Sequence, residues 1–149
     1  MKICIVCSHG GHLTEVLQIL DAFEGHEIFF VTYYGTRETE VTKIARAYFI
    51  KIIGVSFSRM IAATFMAFRI LVIEKPQVIV SLGAEIALPF IYLGKLMRIR
   101  TIYIESWARV EDLSLTGRLV YPIADAFWVQ WPQMLEKCGP KAKFHGSVI

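Results

Sequence analysis

An α/β fold with a doubly wound, mostly parallel sheet is predicted by three observations. Short apolar runs of strand length alternate with segments of helical periodicity along all 149 residues. The first apolar run passes into a helix across two glycines, Gly10 and Gly11. No linker, repeat or low-complexity stretch interrupts the alternation, so residues 1–149 read as one domain.

Each element follows in turn. Ile3, Cys4, Ile5, Val6 and Cys7 are apolar without a break, as a strand buried on both faces must be. The run stops at Ser8-His9-Gly10-Gly11-His12, and Leu13, Val16, Leu17 and Leu20 then recur at helical spacing. Residues 27–33 (EIFFVTY) form a second strand, and a turn at Tyr34-Gly35-Thr36 leads into a polar helix over 37–47. A third strand is expected at 48–53, a helix at 59–75, a fourth strand at 77–81, and a helix at 86–97 with Pro89 near its first turn. Residues 101–105 make a fifth strand, 113–123 a helix, 126–130 a sixth strand, 132–137 a short helix and 142–145 a last edge strand. Strands alternating with helices imply right-handed crossovers and a parallel sheet.

The strand–Gly-Gly–helix turn turns free N–H groups and the positive end of a helix toward the carboxyl edge of the sheet, where an anion can sit. The alternative is structural, since glycine also permits a tight turn and close helix packing. His9 and His12 in the same turn favour a site.

Composition narrows the surroundings. Hydrophobic residues make up 55% of the chain and mean hydropathy is +0.50, which is oily for a freely soluble domain. Net charge is +3, yet residues 41–100 hold nine Lys/Arg against Glu74 and Glu85, a net +7. Basic residues scattered among aliphatics suit an anionic membrane surface better than nucleic acid. The helices around 60–73 and 88–97 are apolar nearly all round and are too short to cross a bilayer, so they either dip into one leaflet or lie in the core. Lys95, Arg98 and Arg100 follow the second of them, placed to meet headgroups.

Cys4, Cys7 and Cys138 are odd in number and follow no secretory signal, which points to a reducing compartment. Cys4 and Cys7 match C-x-x-C, but on a strand they face opposite sides, so they read as apolar fillers. Spacings for a metal are absent, as are G-x-G-x-x-G and G-x-x-x-x-G-K; no cofactor is implied.

Further groups gather at the same sheet edge. Ser81, Gly83 and Glu85 follow the fourth strand; Glu105, Ser106, Trp107 and Arg109 follow the fifth. A carboxylate at the end of the apolar strand 101–104 needs a partner, and Arg109, His9 or His12 could supply it. The bland alternative is a rim carboxylate paired with Arg109. Phe127 and Tyr121 read as core aromatics; Trp128, Trp131 and Ile149 are candidates for a partner surface.

Ser8-His9-Gly10-Gly11-His12, Ser81-Leu82-Gly83-Ala84, Tyr103-Ile104-Glu105-Ser106 and His145-Gly146-Ser147, in that order, resemble the Alg14 / PssD-like family. That family corresponds to the N-terminal, Rossmann-like half of MurG-like GT-B glycosyltransferases. Its first loop is longer and richer in glycine; here Cys7-Ser8-His9 precede the pair, and His12 matches the closing histidine of the loop. The resemblance implies a peripheral protein on the cytoplasmic face of the membrane. It implies an acceptor, a polyprenyl-diphosphate-linked sugar, and an Alg13/PssE-like partner chain that binds the nucleotide sugar. With the chain ending where a second domain would begin, it looks like half an enzyme. The implied chemistry is inverting transfer with His12 or Glu105 as base. Ser8, His9, Gly10, Gly11, Gly83, Ser106 and Arg109 would bind substrate, and no metal or cofactor takes part. A non-catalytic membrane scaffold that docks a soluble transferase, or a complete small α/β enzyme acting on a phosphorylated metabolite, are the rival readings.

Overall fold

The computed structural model describes residues 1–148. Seven parallel strands form one sheet in the order β3-β2-β1-β4-β5-β6-β7. In sequence these are β1 (Lys2–Val6), β2 (Glu27–Tyr33), β3 (Arg46–Ile50), β4 (Val78–Ser81), β5 (Arg100–Ile104), β6 (Ala126–Val129) and β7 (Ala142–Phe144). The helices are α1 (Gly11–Gln18), α2 (Glu38–Ile44), α3 (Phe57–Glu74), α4 (Ala87–Leu96), α5 (Leu115–Val120) and α6 (Leu135–Cys138), with 3-10 turns at Leu20–Phe23 and Pro132–Met134. The strand order reverses beside β1, which pairs with β2 on one side and β4 on the other. A crevice therefore opens above the carboxyl ends of β1 and β4, because their following connections leave in opposite directions.

The alternation of side chains along the strands sorts the core into two layers. Cys4, Val6, Phe29, Val31, Ile79, Tyr103 and Phe127 face α3, α4, α5 and α6. Ile3, Ile5, Cys7, Phe30, Val78, Val80 and Ile104 face the side of α1 and α2. Cys4 and Cys7 thus lie in opposite layers, as strand geometry requires, and both are buried free thiols. Burial pushes the Cys7 thiol up to about 12, which keeps it protonated and inert.

Boundaries differ from expectation where neighbours decide them. β3 ends at Ile50 and does not reach 53, because its register against β2 closes with Tyr33 opposite Ile50. The helix expected over 113–123 is trimmed to α5, whose start is fixed by Ser114: its Oγ accepts the Gly117 N–H at 2.9 Å. Ser56 caps α3 in the same way by accepting the Arg59 N–H, and Lys75 ends it in the left-handed region at φ 47°.

The two apolar helices part company. In α4, Ala87, Pro89, Phe90, Ile91 and Gly94 are buried, so most of it is core. In α3 only a stripe of Ala63, Ala67, Ile70, Leu71 and Glu74 packs inward, and Phe57, Ile61, Phe65, Phe68 and Val72 are exposed; Phe65 keeps 70% of its surface. Among the described residues no helix is long and apolar enough to cross a membrane. Lys95 is held in an ion pair with Asp125 and is not a free cation. Phe127 is buried and Tyr121 packs edge-on against it; Trp128 and Trp131 are half-buried; Ile149 lies outside the described residues.

At the opposite, amino edge of the sheet, the buried Glu74 carboxylate gathers Lys2 from β1, Arg46 from β3 at 2.7 Å, and the Tyr48 hydroxyl. Burial alone would push this carboxyl up; the three donors outweigh it and hold it down to about 2.

Candidate functional site

The crevice at the strand-order reversal is where distant residues meet. β1 ends and the chain turns through Ser8 and His9 into α1, whose N-cap is Gly10. Apart from the chain neighbours and the helix's own backbone, no described residue lies within 4 Å of where a β carbon on Gly10 or Gly11 would stand. Space above this helix start is therefore open, with the Gly11 and His12 N–H groups in its first turn. The helix contributes positive potential there.

The other two glycines of the region are closed. A β carbon on Gly83, at φ +89°, would stand 2.6 Å from His12 Cε1, and one on Gly35 would stand 2.9 Å from His9 Cδ2. Gly83 follows β4 and Gly35 follows β2, so each histidine of the first loop is seated on a glycine from a neighbouring loop. The His9 ring also meets Tyr33 edge-on. The Nδ1 atoms of both histidines are buried without a hydrogen-bond partner.

Beside His12 lies a cavity of about 320 Å³ lined by Ala84, Glu85, Glu105, Ser106, Ala108, Arg109, Ser114, Leu115 and Thr116. A larger one of about 540 Å³ sits at the amino edge among Lys95, Arg98, Ile99, Arg100 and Asp125. The smaller one carries the convergent polar groups, which is a better mark of a site than volume.

Glu105 is not a rim carboxylate and does not pair with Arg109. It is 1% exposed, and its oxygens accept the Ser106 N–H at 3.0 Å, the Ser114 N–H at 3.0 Å and the Ser114 hydroxyl at 2.9 and 3.0 Å. Gly117 makes room for it: a β carbon there would lie 2.1 Å from Glu105 Oε2. Ser106 also faces inward, donating its hydroxyl to Glu15. Arg109 is exposed at the cavity mouth and forms no ion pair among the described residues.

Glu15 and Arg37 were not singled out by sequence, and Glu85, which was, finds partners there that the sequence did not show. Glu15, 5% exposed, accepts the Ser106 hydroxyl at 2.9 Å, the Trp107 N–H at 3.1 Å and the Gln130 amide at 2.6 Å. Glu85 accepts the Tyr33 hydroxyl at 2.8 Å and the Gly54 N–H at 3.1 Å, and so ties β2 and the loop after β3 to the crevice. Burial and this carboxylate push the Tyr33 phenol up, so it stays a donor. Arg37 donates to Thr14 Oγ1 at 2.9 Å and to the Gly10 carbonyl at 3.4 Å, which puts a guanidinium beside the first loop. A carboxylate one turn after His12 on the same face of α1 was the one legible signal, for Glu15.

The charge state of His12 follows from its surroundings. Its side chain is 24% exposed. Burial lowers its pKa from the ordinary 6.5 against the pull of Glu15, Glu105 and Glu85, so at neutral pH it is an imidazole with a lone pair. A neutral imidazole at the mouth of a polar crevice, next to open helix N–H groups, can take a proton from a hydroxyl whose oxygen attacks a bound electrophile.

The curated relatives agree on one family. A relative from Yarrowia lipolytica, named UDP-N-acetylglucosamine transferase subunit ALG14, is 30% identical over 99% of this chain and 81% of its own. The Candida albicans protein of that name is 27% identical over 99% of this chain and 78% of its own. Among solved structures, Acinetobacter baumannii MurG superimposes with a TM-score of 0.80 at 17% identity, over 99% of this chain and 45% of MurG. A UDP-GlcNAc 2-epimerase from Methanocaldococcus jannaschii superimposes at 0.78 and 15% identity, over 99% and 47%. The chain thus has the fold of about half of each of these proteins. The description "Oligosaccharide biosynthesis protein Alg14 like" matches residues 3–148, and with the relatives in agreement, the chain belongs to the Alg14-like family.

Proposed function

We propose that this chain is the acceptor-binding, membrane-associating subunit of a two-chain inverting glycosyltransferase. It works with an Alg13/PssE-like donor-binding chain and acts on a polyprenyl-diphosphate-linked sugar. The observation that carries the reading is His12: a neutral imidazole seated on Gly83 at the crevice where β1 and β4 diverge. The names of the relatives make UDP-N-acetylglucosamine the first donor to test. The word subunit in those names supports a partner chain.

In this reading the acceptor diphosphate lies over Gly10, Gly11 and the start of α1, with Arg37 and Arg109 at its flanks. Ser8 and His9 line the approach. His12 takes the proton of the acceptor hydroxyl as its oxygen attacks the anomeric carbon, and the nucleotide diphosphate leaves with the bonding pair. Glu105, already filled by Ser106 and Ser114, shapes the loop that closes the cavity and does not act as the base. The exposed aromatic face of α3, flanked by Arg59, Arg69 and Lys75, supports docking on an anionic bilayer at its cytoplasmic face.

Reconstitution tests this. The pair should transfer sugar to the lipid acceptor and this chain alone should not. His12→Ala should lower kcat on the order of 10²-fold or more while the pair still assembles. Normal turnover by an assembled His12→Ala pair would leave the chain as a scaffold. Phe65→Ser with Phe68→Ser should weaken sedimentation with anionic vesicles; unchanged sedimentation would remove the membrane part of the reading.

A further inference from the structure

Glu15 sits one turn after His12 on α1, with Oε1 3.8 Å from His12 Nδ1. It is a nearly sealed carboxylate whose hydrogen-bond donors are all neutral: a hydroxyl, a backbone N–H and an amide. The His12 Nδ1 that faces it is itself buried and without a partner. A buried ring nitrogen and a buried carboxylate, each on the same helix and separated by less than a water's width, are a pair held just short of contact. From this geometry we infer that Glu15 is the positioning residue of His12: it keeps the proton on Nδ1, leaves Nε2 free toward the cavity, and steadies the imidazolium formed in the reaction. The inference rests on the reading of His12 as base.

Four charged groups bear on His12. Glu15 comes from α1, Glu85 from the loop after β4, and Glu105 and Arg109 from the loop after β5. Occupancy does not separate the carboxylates: Ser106 and Ser114 fill both oxygens of Glu105, Tyr33 and Gly54 share Oε1 of Glu85, and Ser106, Trp107 and Gln130 fill both oxygens of Glu15, so distance to the ring decides. Glu15 is the carboxylate in salt-bridge range of the ring. When Nε2 accepts the hydroxyl proton, the ring becomes a cation with a proton on each nitrogen. A closing movement of about 0.8 Å then brings Nδ1–H into hydrogen-bond distance of Oε1. The Cε1 edge of the ring packs against Gly83. The remaining bonds of Glu15 fix its place: Gln130 also donates to the Glu105 carbonyl at 3.0 Å and accepts the Val148 N–H at 3.1 Å, so α1, the loop after β5 and the end of the chain set one carboxylate.

The test reads the histidine directly, without turnover. In the ¹⁵N-labelled chain, with His12 assigned by loss of its signals in His12→Asn, the Nδ1–H tautomer should dominate. In Glu15→Gln the titration midpoint should move to lower pH and the Nε2–H tautomer should appear. Ser106→Ala, which frees Oε1 of its competitor, should move the midpoint the other way and serves if Glu15→Gln does not fold. In the reconstituted pair, Glu15→Gln should lower kcat on the order of 10²-fold with KM little changed, and the acid limb of the rate profile should shift with the NMR midpoint. A folded Glu15→Gln chain with unaltered midpoint and tautomer overturns the role of Glu15. The NMR changes with unaltered kcat locate the failure in His12 as base instead.

Discussion

His12 Cε1 fills the space that a β carbon on Gly83 would need, at 2.6 Å from it. The glycine after the fourth strand is therefore the seat of the histidine after the first. Two segments some seventy positions apart make one feature because the parallel pairing of β1 with β4 sets their ends side by side.

Gly83→Ala should displace the imidazole and add left-handed strain of about 1–3 kcal/mol. The expected result is a lower melting temperature together with loss of turnover in the reconstituted pair. Gly11→Ala meets no described atom within 4 Å, so it should leave the melting temperature nearly unchanged and raise KM for the diphosphate acceptor. Calorimetry and initial rates on the two variants separate the roles.

The depressed pKa of His12 sets a pH dependence. Its imidazole stays unprotonated below the ordinary 6.5, so the acid limb of kcat/KM should fall below that value. Stability moves in the related sense. Between the folded and unfolded pKa values the unfolded chain binds a proton that native His12 refuses, so stability falls as pH drops through that window. His12→Asn should flatten this part of a plot of melting temperature against pH.

Glu105 and Gly117 should behave as one unit. Glu105→Gln loses acceptors for the Ser106 or Ser114 N–H and should cost about 1–3 kcal/mol, measured by urea unfolding. Gly117→Ala drives a β carbon into Glu105 Oε2 and should cost at least as much. Because both act on the same carboxylate, the double variant should be less destabilised than the sum.

Glu74 should dominate the acid sensitivity of the sheet. Its pKa near 2, against an ordinary 4.5, contributes stability that is fully present above about 4.5 and lost as pH falls toward 2. Lys2 and Arg46 remain partly open to water, which trims the effect. Glu74→Gln should cost about 2–3 kcal/mol at pH 7 and little at pH 2.

The chain order of strands and helices was legible because it is a local property: burial on both faces writes an unbroken apolar run, and packing on one face writes a helical period. So was the first loop, since a histidine after two glycines at a helix start is informative without a partner. Sequence also placed Cys4 and Cys7 on opposite faces, as strand periodicity alone requires. Tertiary structure decided the rest. The end of β3 at Ile50 depends on where β2 stops offering partners. The exposed face of α3 and the buried body of α4 look alike in hydropathy and differ only in which neighbours cover them. Glu105, which the sequence left between a partner in Arg109, His9 or His12 and a place at the rim, is sealed by Ser106 and Ser114, and Glu15 emerged only with its donors from the segment after β6 and the loop after β5. Those partners lie up to 115 positions away, and a carboxylate's role is fixed by the donors around it, which the fold brings together and no local pattern records.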